Sequence, residues 1–234
     1  MKLKENGIYD LNSWFKIAPP MGGKKQWVDG RSAKELARYM TEKFPSVPKE
    51  IEDVLIDFTK SDAEFDWAGE YVTSFAGYDL GRGEGRNHDA FMYNGDVVVG
   101  IEGKADESLG SQLIGEAING AGENKMKRIC GMIKMLFGDE PQNHTQIRYQ
   151  LVTAATATLL EAKTKKVNNA VFLVIVFKKS GCYRESKIAE NKADIKRFLT
   201  EIKAEKRGEY FMIPTEFGKE NNINLYFKYI EIDL

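Results

Sequence analysis

The sequence predicts an α/β fold in which helices flank a mixed central sheet. The run VFLVIVF at 171–177 is continuously β-branched or aromatic, which is typical of a central strand covered on both faces. A second apolar run, VVVGI at 97–101, precedes it, and residues with helical periodicity separate the two. This order indicates a crossover connection and a sheet that is at least partly parallel. A third signal, Asn94-Gly95, predicts a hairpin that leads into the run at 97–101.

The chain of 234 residues is expected to fold as one domain over 1–234. Residues 1–60 are predicted to form an N-terminal arm and helices that pack on the rest. Hydrophobic residues make up 42% of the sequence, which is enough for a sizeable core. No stretch rich in proline, glycine or serine divides the chain as a linker would.

Local signals predict the helices and the remaining strands. The stretch SAKE has the pattern of a capping box, with Ser32 as the cap and Glu35 at the third helical position. Apolar residues recur at helical spacing over about 48–58, 108–137, 146–163 and 187–206, and the second of these is interrupted at NGAGEN (119–124). Strands are predicted at 71–80 and at about 225–232.

Charge and cysteine content limit the class of protein. The formal net charge is −1, whereas proteins that coat nucleic acid are usually strongly basic. An enzyme that acts on nucleic acid is still allowed, because acidic catalytic groups can balance a basic rim. No apolar run approaches the roughly 20 residues that span a bilayer, and the first residues lack a signal-peptide core. With only two cysteines, Cys130 and Cys182, we expect a cytoplasmic protein without a membrane partner.

The hairpin is the part of the sequence that says most about function. A two-residue loop at Asn94-Gly95 would pair Tyr93 with Asp96. Counting outward from that pair places Asp89 opposite Gly100. Because side chains alternate faces along a strand, Asp89 would share its face with Glu102, which would be its diagonal neighbour.

Two carboxylates in this arrangement could bind one cation. Diagonal neighbours on paired strands lie about 7 Å apart, and carboxylate oxygens are the ligands that Mg²⁺ prefers. Gly100 would leave room for the ion, and Lys104 would point at the same space without binding the metal. The alternative is a solvent-facing strand end with three unrelated charges. The four apolar residues before Glu102 favour the site, since they place these charges where a buried strand emerges.

At these residues the chain resembles the PD-(D/E)xK nuclease superfamily, which has the restriction-endonuclease-like fold. Its pattern of an aspartate on one strand and Glu-x-Lys on the next reads here as Asp89 and Glu102-Gly103-Lys104. Longer stretches resemble a family of uncharacterised bacterial proteins assigned to that superfamily, namely 27–37, 97–110 and 147–162. His88 stands where the superfamily name has proline, a position that varies widely among its members.

The resemblance implies a metal-dependent phosphodiesterase. Asp89 and Glu102 would bind one or two Mg²⁺ ions, with Mn²⁺ as a substitute, and the Gly103 carbonyl would add a ligand. Lys104 would orient or activate the attacking water and stabilise charge in the transition state. No other cofactor is implied.

Two further site residues follow from the resemblance. Many members carry a glutamate on the helix before the first strand, for which Glu70 is preferred to Glu64. A polar residue at the start of a later helix often faces the site, and Gln150 is the candidate. His88 neighbours Asp89, but its side chain is expected to point to the opposite face.

The resemblance makes nucleic acid the expected partner, with DNA preferred to RNA or tRNA. In the loop GRGEGR at 81–86, Arg82 and Arg86 are candidates for backbone phosphate contacts. A homodimer is plausible, because enzymes that cut both strands often need two sites. The main alternative is a nuclease-like binding or regulatory module without turnover, and a role as a toxin in microbial conflict is a weaker one. Fold alone does not choose among these.

Overall fold

A computed structural model describes residues 1–82, 85–179 and 183–234. Over these residues the chain is an α/β protein in which eight strands form one mixed sheet. The strands are β1 (Lys2–Leu3), β2 (Glu64–Thr73), β3 (Arg86–Tyr93), β4 (Val97–Lys104), β5 (Asn169–Lys178), β6 (Glu205–Arg207), β7 (Tyr210–Ile213) and β8 (Asn224–Asp233). Their order across the sheet is β1-β2-β3-β4-β5-β8-β7-β6. The pairs β1–β2, β4–β5 and β5–β8 are parallel, and the others are antiparallel.

Eight α-helices accompany the sheet in the described residues. They are α1 (Leu11–Ile17), α2 (Ser32–Thr41), α3 (Lys49–Leu55), α4 (Ile114–Asn119), α5 (Glu123–Phe137), α6 (Tyr149–Lys165), α7 (Glu185–Glu201) and α8 (Glu216–Asn221). The helices predicted over 48–58, 108–137, 146–163 and 187–206 are confirmed as α3, the pair α4 and α5, α6, and α7. None of the described helices is long and apolar enough to cross a membrane.

The strand β5 lies at the centre of the sheet, as predicted from the run at 171–177. Its alternate residues enter two separate cores, one on each face of the sheet. Helices α1, α2 and α3 cover one face, and helices α4 to α8 pack on the other. The parallel pairing of β4 with β5 confirms the predicted crossover, which runs through α4, α5 and α6.

The prediction of a first strand at 71–80 is wrong in its position. The strand is β2, which ends at Thr73, and residues 74–80 form a loop with a turn at 76–79. Phe75 and Leu80 are buried in the core beside α5 without pairing in the sheet. These two apolar residues, which extended the strand-like pattern, therefore belong to a loop that packs against the core.

The capping box predicted for α2 is also wrong. Ser32 is the first helical residue, the cap is Arg31, and no side chain caps the helix. The carboxylate of Glu35 instead accepts the backbone N–H of Gly30 at 2.7 Å and pairs with Arg38. Glu35 thus ties the preceding loop to the helix, and the sequence pattern placed the cap one residue too late.

Replacing Gly69 by alanine is expected to destabilise the protein. A Cβ at this position would overlap the indole of Trp14, which is buried in the core under β2. Overpacking of this kind costs about 1–3 kcal/mol. The free energy of unfolding by urea would measure it, with Gly95→Ala as the control, because a Cβ at Gly95 meets nothing within 4 Å. Equal stability of the two variants would contradict this account of the packing.

Candidate active site

The hairpin between β3 and β4 turns one residue later than predicted. Tyr93 pairs with Val98 and Asn94 lies across from Val97, so Gly95-Asp96 is the loop. The reason lies in the side chain of Asn94, whose oxygen accepts the backbone N–H groups of Asp96 and Val97, both at 3.0 Å. This bonding makes Asn94 the first residue of the turn, not one of its two central residues.

The later turn shifts the pairing of the two strands by two residues. Phe91 now lies opposite Gly100, and the last pair is Ala90 with Ile101, so the register if extended by one residue puts Asp89 across from Glu102. The diagonal arrangement expected for these two residues is therefore wrong. A shift of two residues by itself leaves the side chains of the paired residues, Ala90 to Tyr93 and Val98 to Ile101, on their predicted faces, because the side-chain period of a strand is two. Phe91 and Val98 enter one core, and Val97 and Val99 the other.

The regular pleat of the sheet is interrupted at Glu70 and Asp89. Pairing of β2 with β3 skips these two residues, and Glu70 has a φ of 48°, which is uncommon for a residue other than glycine. Gly69, just before the interruption, faces Trp14 on one side of the sheet. Tyr71, just after it, stacks on Phe91 on the other side. The interruption therefore reverses which residues of each strand face which core.

The reversal overturns the expectation for His88. Its ring lies on the same face as Glu102, with Nδ1 3.9 Å from Glu102 Oε1, and not on the opposite face. His88 is completely buried, and neither ring nitrogen has a hydrogen-bond partner among the described residues. Burial, with the positive charge of Arg86 nearby, lowers the pKa of His88 to about 3, so the ring is neutral.

Glu70 reaches the site and Glu64 does not. Glu70 lies within β2, so the expectation that this glutamate comes from a preceding helix is wrong. Its carboxylate accepts a hydrogen bond from Asn87 Nδ2 at 2.5 Å. Glu64 is exposed at the start of the same strand, where its backbone pairs with that of Lys2 in β1. Six residues of strand separate the two glutamates by about 20 Å.

Glu102 is the centre of the cluster and is fully buried. It accepts hydrogen bonds from Arg86 at 2.5 Å and from Gln150 Nε2 at 2.7 Å, and Lys104 Nζ lies 3.9 Å from Oε2. Gln150 stands in the first turn of α6, so the structure brings it to the position expected from the sequence. One oxygen of Asp89 accepts the backbone N–H of Gly103 at 2.9 Å.

The two arginines of the loop at 81–86 differ in position. Arg86 is turned inward onto Glu102, a contact that the sequence did not suggest. Arg82 is exposed, and its backbone N–H bonds the side chain of Asn124. Two other members of that motif, Gly83 and Glu84, lie outside the described residues.

The three acidic groups repel one another electrostatically. Burial raises the pKa of Glu102 to about 7, and the charge of Asp89 adds to the rise while Arg86 and Lys104 oppose it. Burial also raises the pKa of Glu70 to about 7, with contributions from the charges of Asp89 and Glu102. The site therefore holds its carboxylates at a cost in free energy, which is common where carboxylates have a functional role.

The donor set of this cluster fits a hard divalent cation in its chemistry. All three acidic groups offer oxygen ligands, and their mutual repulsion is what a bound cation would relieve. Two features complicate the fit. Arg86 pairs with Glu102 Oε1, and no three histidine, cysteine or acidic side chains of the described residues already form a metal-ligand group.

Comparison with known proteins gives a family and no activity. A family model described as "Domain of unknown function (DUF6946)" matches residues 8–234, so the chain belongs to that family. No curated protein and no solved structure matched the chain.

Proposed function

We propose that this protein is a metal-dependent nuclease that hydrolyses phosphodiester bonds, with DNA as the preferred substrate. The observation that carries the proposal is the meeting of Glu70, Asp89 and Glu102 with Lys104 at one place on the sheet. The pKa values of Glu70 and Glu102 are raised, as expected of functional carboxylates. The proposal includes the restriction-endonuclease-like form of the α/β fold and a cytoplasmic location.

The roles follow from the chemistry of each group. Asp89, Glu102 and the Gly103 carbonyl would hold Mg²⁺ or Mn²⁺. Such an ion, when bound, lowers the pKa of a coordinated water and neutralises charge that develops on phosphate. Lys104 would place its ammonium beside that charge, in a buried setting where electrostatic stabilisation is strong. Gln150 would orient Glu102 through the hydrogen bond that it already donates.

Arg86 has to give up its contact with Glu102 before Glu102 Oε1 can bind a metal ion. Its guanidinium would then be free to contact a phosphate of the substrate, as guanidinium groups commonly do. The Arg86–Glu102 pair therefore belongs to the unloaded site, in which the arginine neutralises the buried carboxylate.

The same pair supports a second candidate function. If Arg86 keeps Glu102 neutralised permanently, the protein would be a nuclease-like binding or regulatory module without turnover. Calorimetric titration with Mg²⁺ separates the two candidates, because a permanent pair leaves Glu102 unavailable and predicts no heat of binding.

Cleavage assays test the proposed activity. Plasmid, single-stranded DNA and RNA are incubated with Mg²⁺ or Mn²⁺, with EDTA in parallel samples. The expected result is cleavage that requires the metal and is lost in Asp89→Asn, which keeps the shape of the side chain but removes its charge. Asp96→Asn, in the turn of the same hairpin, is the control. Cleavage that persists in EDTA, or equally in Asp89→Asn, would overturn the proposal.

A further inference from the structure

A cavity of about 530 Å³ adjoins the carboxylate cluster, and Glu70, Arg86 and Gln150 form part of its wall. Its volume lies within the roughly 300–1,000 Å³ of small-ligand sites. The other residues that line the cavity have no role in the proposal above. The rest of the lining includes Phe75 after β2, Arg128 of α5 and Tyr149 at the start of α6, together with residues of the segment after α1 and of the loop before α4.

The lining combines aromatic rings with cations. The guanidinium of Arg128 lies 5.4 Å from the centre of the Phe75 ring. Lys125, which is not itself part of the lining, places its Nζ 5.9 Å from the centre of the Tyr149 ring. Arg128 donates to the backbone carbonyls of Leu80 and Arg82, and within the described ranges it forms no ion pair with a carboxylate. Its positive charge is therefore available to an anion.

Three polar atoms of the lining residues are buried and lack a hydrogen-bond partner among the residues that the structure describes. They are one donor, Arg86 Nε, and two acceptors, Asn87 Oδ1 and Gln150 Oε1. Leaving such groups unpaired costs about 1–3 kcal/mol each. These atoms have almost no accessible surface, so a ligand would recover that free energy only after the side chains turn toward the cavity. A nucleobase has an edge with both donors and acceptors that could then bond them.

We infer that this cavity receives one unpaired nucleotide of a single-stranded nucleic acid. Its base would stack on Tyr149, and its phosphate would lie on Arg128. The unpartnered oxygens of Asn87 and Gln150 would bond the base once their side chains turn toward the cavity. Aromatic rings beside cations are the usual means of holding single strands. A base in a duplex would first have to be unpaired and flipped out, which costs a few kcal/mol. The inference rests on the proposed nuclease function and names its substrate as single-stranded.

Binding measured without cleavage tests the inference. Fluorescence anisotropy is recorded in EDTA with a labelled single-stranded DNA, the RNA of the same sequence and the matching DNA duplex. Either single strand is expected to bind at least about 10-fold more tightly than the duplex. Tyr149→Ala is expected to weaken single-strand binding about 10-fold, whereas Tyr149→Phe, which keeps the ring, stays within about 2-fold of the unmodified protein.

Two further variants guard against effects on folding. Arg128→Gln, at a partly exposed position, is expected to weaken binding and to reduce its dependence on salt. Tyr210→Ala removes an aromatic ring from β7, near the other edge of the sheet, and should leave binding unchanged. Equal affinity for duplex and single strand, no dependence on Tyr149, or no binding of any of the three probes would overturn the inference.

The results also separate this inference from the proposed activity. If duplex cleavage requires metal and Asp89 but is unchanged in Tyr149→Ala, the nuclease proposal holds and the single-strand inference fails. If the protein binds a single strand through Tyr149 but cleaves no substrate, the single-strand inference holds and the nuclease proposal fails.

Discussion

Lys104→Met is expected to lower the rate of cleavage at least about 100-fold, because it removes the buried ammonium and keeps most of the side-chain volume. Loss of one electrostatic contact to a transition state commonly costs 10²–10³ in kcat. Lys104 lies 3.9 Å from Glu102 and is buried, so bulk solvent cannot replace its charge. Single-turnover cleavage rates at saturating Mg²⁺ would measure the effect.

The loss should appear in the chemical step and not in metal binding. The rise in melting temperature on adding Mg²⁺ is expected to persist in Lys104→Met, since Lys104 is not a proposed ligand. Lys127→Met, an exposed lysine that pairs with Asp79 on the surface, serves as the control. Cleavage that survives Lys104→Met unchanged would assign the activity to a contaminant or to another site.

Glu102→Gln is expected to abolish metal-dependent cleavage and to stabilise the protein when metal is absent. The single oxygen of glutamine can still accept from Arg86, and its NH2 group can donate to the oxygen of Gln150 once that amide turns over, but glutamine carries no charge in the buried site. Loss of a proposed ligand should remove both cleavage and the increase in melting temperature with Mg²⁺. A stabilising substitution that destroys activity is the usual trade-off at a strained functional site.

The stabilisation should depend on pH in a defined direction. The pKa of Glu102 rises from 4.5 to about 7 on folding, so the folded state binds more protons than the unfolded state between these values. The unmodified protein therefore loses stability as pH rises from about 4.5 to 7, by up to about 3 kcal/mol, and then levels off. Glutamine does not titrate, so the advantage of Glu102→Gln should grow over that range.

Urea unfolding in EDTA at pH 5 and pH 8 would measure this difference. Glu220→Gln, at an exposed glutamate of α8, is the control and should show little change with pH relative to the unmodified protein. A Glu102→Gln variant that is less stable at pH 8 than at pH 5, relative to the unmodified protein, would show that Glu102 is held as a favourable ion pair.

Much of the fold was predictable because it depends on patterns within single elements. The run at 171–177 predicted β5, since a strand covered on both faces must be apolar at every position. Periodicity likewise predicted α3 and α4 to α7. The strand β2 was misplaced, because Phe75 and Leu80 are buried by a loop and extended the apolar pattern beyond Thr73.

The candidate site was predictable in part. Asp89, Glu102 and Lys104 were predicted to lie close together, and an error of two residues in register still leaves the charge of Asp89 and that of Lys104 acting on Glu102. Arg86 and His88 were missed as neighbours of Glu102. No sequence signal placed Arg86 on Glu102, because the two residues belong to different strands and their approach depends on the sheet.

The sequence alone determined the α/β class, the central strand and the order of the residues that carry charge, because these follow from the periodicity and the chemistry of short segments. Only the tertiary structure decided which strand faces meet. At Glu70, a positive φ opposite Asp89 reverses the pleat and turns His88 and Arg86 toward Glu102. A backbone angle of that kind is imposed by the neighbouring strand and by the packing of the core, so a local pattern does not reveal it.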